Sequence, residues 1–101
     1  MAASLIGWST EEVETINKTK MWHVYGLKGD KSIYIGLTSD LKRRLSEHKR
    51  GKTHSTKRMG DLKLIFVESF ISKHDAQKQE KFYKTGYGRE VLKDKLADTL
   101  K

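Results

Sequence analysis

SIYIGLTSDLKRRLSEHKRG, residues 32–51, decides how this chain is read. Its first six residues are β-rich, and Thr38, Ser39 and Asp40 form a polar corner offering three candidate N-caps. LKRRLSEHKR then carries leucines at helical spacing until Gly51 stops the helix. At about 100° per residue, Leu41, Arg44, Leu45 and His48 share one stripe while Lys42 and Arg43 point away. An arginine and a histidine therefore turn toward the apolar face of their own helix. Two readings stand open: boundary groups whose polar heads reach water, or groups facing a site.

Upstream, MWHVYGL (21–27) and SIYIGL (32–37) flank LKGDKS, a hairpin signal. A two-residue turn with Gly29 first sets Tyr25 opposite Tyr34, with His23 and Gly36 on the same face. The other face collects Trp22, Val24, Ile33, Ile35 and Leu37. One face is fully apolar, and the other has two phenols, an imidazole and a bare glycine. Paired strand tyrosines are also common packing residues with wet tips. Gly36 is expected to admit a closely approaching helix or ligand backbone.

Downstream, KTHSTKRMGD is a basic loop and LKLIFVESF (62–70) a third strand. Ser72 caps a helix to about Lys84, Gly86 and Gly88 break it, and REVLKDKLADTLK is helical. Before the hairpin, Ser9 and Glu12 form a capping box opening a short helix to about Asn17. The fold class is α+β, a small antiparallel sheet of about three strands flanked by helices.

The bulk composition narrows the function classes. A chain of 101 residues accommodates one domain with a modest core. Without cysteine there are no disulfides, thiolate metal sites or thiol nucleophiles. The longest purely apolar run, LIFV, is far too short to span a membrane, and the N-terminus has no basic n-region, so no membrane partner and an intracellular, cytoplasmic location are expected. The net charge is +8, and Lys42, Arg43, Arg44, Lys49, Arg50, Lys52, Lys57 and Arg58 crowd one segment whose only acid is Glu47. A polyanion such as nucleic acid is the natural partner, because each neutralised phosphate releases counterions. A solvated basic face is the plainer alternative.

On the second helix Ala76, Glu80 and Tyr83 share a face, which singles out Glu80 as an inward carboxylate. A buried charge needs a partner, either Arg44 in a structural ion pair or a metal ion. Tyr25, Tyr34, Arg44, His48 and Glu80 together supply a base, a cation and an oxygen ligand, the requirements of phosphodiester hydrolysis.

From His23 to about Leu96 the chain resembles a GIY-YIG nuclease domain. Tyr34-Ile35-Gly36 is the intact second half of the name motif, and His23-Val24-Tyr25, followed by Gly26, is a degenerate first half. Arg44 and His48 follow Tyr34 at the family's spacing, and Glu80 stands where the family keeps its metal-binding glutamate. The resemblance implies residues 1–20 as an N-terminal helical extension and 21–101 as one nuclease-like domain. It further implies a metal-dependent DNA endonuclease and hydrolase, compatible with DNA repair or recombination. Its cofactor would be Mg²⁺ or Mn²⁺ on Glu80, with Tyr25 as base, Tyr34 and His48 assisting, and Arg44 stabilising charge. Lys42, Arg43, Lys52, His54, Ser55, Lys57 and Arg58 would hold DNA. A double-strand break would need a homodimer or two encounters. The C-terminal asparagine of many members is missing, the only asparagine here being Asn17. The alternative is a catalytically inactive, basic nucleic-acid-binding module.

Overall fold

A computed structural model describes Glu11 and residues 20–101. Strands β1 (Trp22–Lys28) and β2 (Ile33–Thr38) lead into helix α1 (Leu41–Lys49). Strand β3 (Lys63–Phe70) and helices α2 (Lys73–Tyr83) and α3 (Gly86–Lys95) follow. The strands form one antiparallel sheet in the order β2-β1-β3, the α+β architecture expected. The expected N-terminal helix, and with it the division at residue 20, lies outside the described residues apart from Glu11. Among the described residues no helix is long and apolar enough to cross a membrane.

The local signals act as their chemistry dictates. Asp40 caps α1 by accepting from the Arg43 N–H, and Ser72 caps α2 by accepting from that of Asp75. Beyond α1, Gly51 takes a positive φ of 69°, a conformation that costs glycine nothing. The Gly86–Gly88 break is sharper than expected: α3 starts at Gly86 itself, because Thr85 caps it by accepting from the Gly88 N–H. Its helix ends at Lys95 rather than continuing to the last residue.

The hairpin register departs from the sequence reading. Tyr25 lies opposite Gly36, and Leu27 opposite Tyr34. The four residues Gly29 to Ser32 join the strands instead of a two-residue turn, because the Gly29 N–H closes on the Ser32 carbonyl at 2.9 Å and the Asp30 N–H is taken by Met59 at 2.8 Å. The shift is an even number of residues, so every side chain keeps its expected face. Val24 and Ile35 sit with Ala76, Tyr83 and Leu92 in the core, which Trp22, Ile33 and Leu37 flank. Helices α2 and α3 thus cover the apolar face, while α1 covers the face bearing Tyr25.

Candidate nucleic-acid interface and the tyrosine–histidine network

On the α1 side, Tyr25 is completely buried and its hydroxyl lies 2.8 Å from His48 Nε2. His48 Nδ1 lies 2.7 Å from Thr56 Oγ1, so a relay runs from the middle strand through α1 into the basic loop. A neutral imidazole has one donor and one acceptor nitrogen, so one of its two hydroxyl neighbours donates and the other accepts. Burial, reinforced by the nearby Arg44 charge, holds the His48 pKa below the usual imidazole range. Burial and the neighbouring Tyr34 push the Tyr25 phenol up to about 12. The rings of Tyr25, Tyr34 and His48 pack with centroids 5.1–6.2 Å apart. The sequence brought these three together correctly, but not Thr56, whose hydroxyl is buried in a loop with no periodic signal.

Gly36 lies beneath the Tyr25 ring, and a Cβ there would overlap its Cζ and hydroxyl. The expected approach of a helix or ligand backbone is therefore corrected: the tyrosine of the facing strand occupies that space. A register with Tyr25 opposite Gly36 makes the glycine a seat for the ring.

Arg44 is half-buried beside both phenols. Its carboxylate partner is Glu47, 3.0 Å away and one helical turn on, which also holds Arg43 at 2.7 Å. This pairing raises the Arg44 pKa and lowers that of Glu47. Glu80 instead binds Lys84 at 3.1 Å. Among the hydrogen bonds and ion pairs of the described residues, none joins Glu80 to Tyr25, Tyr34, Arg44 or His48. It rides on α2, whose buried Ala76 and Tyr83 pack on the face opposite Tyr25. The inward carboxylate that sequence reasoning missed is Glu68 on β3. It accepts from the Tyr83 hydroxyl at 2.9 and 3.0 Å and from Gln79 at 3.0 Å, with Lys95 3.7 Å away. Its place in an otherwise apolar strand face was the available signal.

The basic segment behaves differently. Lys42, Lys49, Arg50, Lys52, Lys57 and Arg58 are exposed, and among the described residues none forms an ion pair. His54, Ser55, Lys57 and Arg58 line one open recess in the loop. The exceptions are Arg43, engaged by Asp40 and Glu47, and Arg44, engaged by Glu47.

The GIY-YIG catalytic domain pattern matches residues 21–93. A UPF0213 protein of Limosilactobacillus reuteri is 37% identical over 70 residues, 65% of this chain and 73% of that one. Another from Streptococcus pyogenes is 37% identical over 81 residues, 78% of this chain and 85% of that one. A solution NMR structure of a UPF0213 protein from Bacillus halodurans is 32% identical, covering 71% of this chain and 81% of that chain, with a TM-score of 0.47.

These relatives and the geometry correct the endonuclease expectation, and with it the descriptions nuclease, hydrolase and metal-binding. The Limosilactobacillus reuteri and Streptococcus pyogenes relatives are named as UPF0213 proteins, not as nucleases. Among the described residues no three His, Asp or Glu side chains gather as a metal site, and Glu80, the one carboxylate offered to an ion, is engaged by Lys84. Tyr25, the expected base, is sealed from water, and its raised pKa keeps the phenol protonated near neutral pH, so the phenolate a base would need is scarcely formed.

Proposed function

The chain belongs to the GIY-YIG domain family, and from that premise we propose that it is a basic DNA-binding module in which the tyrosine–histidine network holds the binding surface in shape. The observation that carries this reading is the contrast between the two halves of the site. Tyr25 and His48 are interlocked and buried, whereas six cations beside them are exposed and, among the described residues, form no ion pair with an acid. The relay through His48 and Thr56 anchors the loop that carries Lys52, His54, Ser55, Lys57 and Arg58. These residues and Lys42 contact phosphates, and Arg44, steadied by Glu47, supports the phenol side of the same surface.

One phosphate neutralised by each of the six exposed cations Lys42, Lys49, Arg50, Lys52, Lys57 and Arg58 contributes about 5 to the magnitude of the log Kd against log salt slope, or about a thousandfold weaker binding between 50 and 200 mM salt. Fluorescence anisotropy with labelled single-stranded, duplex, flapped and four-way-junction DNA tests the proposal and ranks the substrates. Lys52→Gln/Lys57→Gln/Arg58→Gln lowers the slope magnitude by about 2.7, whereas Glu80→Ala leaves binding within about twofold. The same panel is incubated with Mg²⁺ or Mn²⁺. Absence of DNA binding at low salt refutes the proposal, as does metal-dependent cutting that Glu80→Ala abolishes.

A further inference from the structure

Four cations outside residues 42–58 gather between the hairpin and α3. A recess of about 420 Å³ between the hairpin and α3 is lined by Lys28, Lys31, Arg89 and Lys93, with Ser32, Ile33 and Leu100 completing the wall. Lys28 Nζ donates to the Gly29 carbonyl at 3.0 Å, and Arg89 Nη1 donates to the Ile33 carbonyl at 3.3 Å. These bonds orient the two half-buried cations without neutralising them. Among the described residues no carboxylate lines the recess. Among the described residues, the only acid within ion-pair reach of any of the four is Glu90, 3.9 Å from Lys93 and itself 75% exposed. Asp30, next to Lys31, sets its carboxylate against Gly60. Like charges converging on one recess repel one another, and a bound anion relieves that repulsion.

The recess is also tied to the first basic stretch. The Asp30 N–H donates to the Met59 carbonyl at 2.8 Å. Lys31 and Arg58 flank that bond, so their Cα atoms lie no more than about 15 Å apart. That separation corresponds to about four base-pair steps of duplex. The two groups of cations therefore meet across the hairpin tip.

We propose that the Lys28–Lys31–Arg89–Lys93 recess is a second phosphate-binding site, so that one DNA backbone runs from the basic loop over the hairpin tip onto α3. This rests on the DNA-binding reading above and extends its footprint to the opposite side of the sheet. Arg89 and Lys93 on α3 thereby become part of the interface.

The test is a salt titration of the Kd for a fluorescein-labelled 30-base-pair duplex. Lys31→Gln/Lys93→Gln removes two exposed charges without touching the Arg89 hydrogen bond, and Lys31→Gln/Arg89→Gln/Lys93→Gln removes three. The expected slope magnitudes fall by about 1.8 and 2.7, additively with the loop substitutions. Lys78→Gln/Lys81→Gln, on the exposed side of α2, is the charge-matched control and leaves the slope unchanged. Circular dichroism confirms that each variant is folded, and the double variant decides the matter where the triple one unfolds. An unchanged slope in the recess variants, with wild-type binding intact, overturns the second site alone. So does a control variant that loses as much slope as the recess variants. A wild-type protein that binds no DNA overturns the parent reading and the second site together.

Discussion

Replacing Gly36 with alanine probes the seat of the Tyr25 ring, and two physical effects predict opposite signs. Alanine for glycine in an unstrained strand stabilises by about 0.4–1 kcal/mol, because the unfolded chain loses freedom. Gly36 has no positive φ, so that gain applies in full. Against it, the new methyl would overlap the Tyr25 Cζ and hydroxyl and stand 2.8 Å from Cε1. Carbon contacts relax only near about 3.5 Å, so the ring must move by on the order of 1 Å. Tyr25 is fully buried and bound to His48, so that movement also disturbs the 2.8 Å hydrogen bond. Overpacking of this kind costs about 1–3 kcal/mol, and a weakened buried hydrogen bond about 1 more. The net effect of Gly36→Ala is a loss of about 1–3 kcal/mol. At about 4–8 °C per kcal/mol for a domain of this size, Tm falls by about 5–20 °C. Thermal and urea unfolding of Gly36→Ala, Tyr25→Leu and the double variant form the assay, and the two substitutions couple because a smaller residue 25 leaves space for the methyl. A Gly36→Ala protein as stable as the wild type, or more so, refutes the reasoning, since the clash would then be absent.

The His48 imidazole has a folded-state pKa below its unfolded value of about 6.5. Its contribution is therefore fully present above pH ~6.5 and is lost as pH falls toward the folded-state pKa, since the unfolded chain binds the proton more readily. Urea unfolding between pH 5 and 7.5 (the range around that ~6.5 value) checks this: His48→Gln flattens the dependence, and an equal slope in both proteins contradicts the assignment. Glu68→Ala strips the acceptor from the Tyr83 hydroxyl and the Gln79 amide and destabilises by about 1–3 kcal/mol. Glu68→Gln, which keeps an acceptor oxygen, costs less. A urea midpoint unchanged in Glu68→Ala shows the cluster to be dispensable.

Much of this architecture was legible because it depends on local chemistry. The Asp40 and Ser72 caps, the Gly51 stop and the α1 stripe all follow from single-residue properties and helical period. The inward turn of Arg44 and His48 was legible for the same reason. The two hairpin faces survived an error in register because strand alternation depends only on parity. The candidate site was less legible where long-range contacts choose partners. Arg44 faces two acids in principle, and it takes Glu47 three residues away while Glu80 takes Lys84 four residues away. Those neighbours are held within reach by their own helices, whereas a cross-sheet pair would have to join helices packed on opposite faces.

By itself the sequence determined the order of elements from β1 onward, the division of the sheet into an apolar and a phenolic face, and the concentration of positive charge between Lys42 and Arg58. Periodicity, capping and composition are properties of short windows, and no distant residue can reverse them here. Only the tertiary structure decided that Gly36 seats the Tyr25 ring, that Thr56 completes the histidine relay, and that Glu80 spends its charge on a lysine. It also decided that Lys28 and Lys31 meet Arg89 and Lys93 across a chain separation of more than fifty residues. Each of these depends on which surfaces the sheet and helices bring within a few ångströms, and that choice is made by packing of the whole chain.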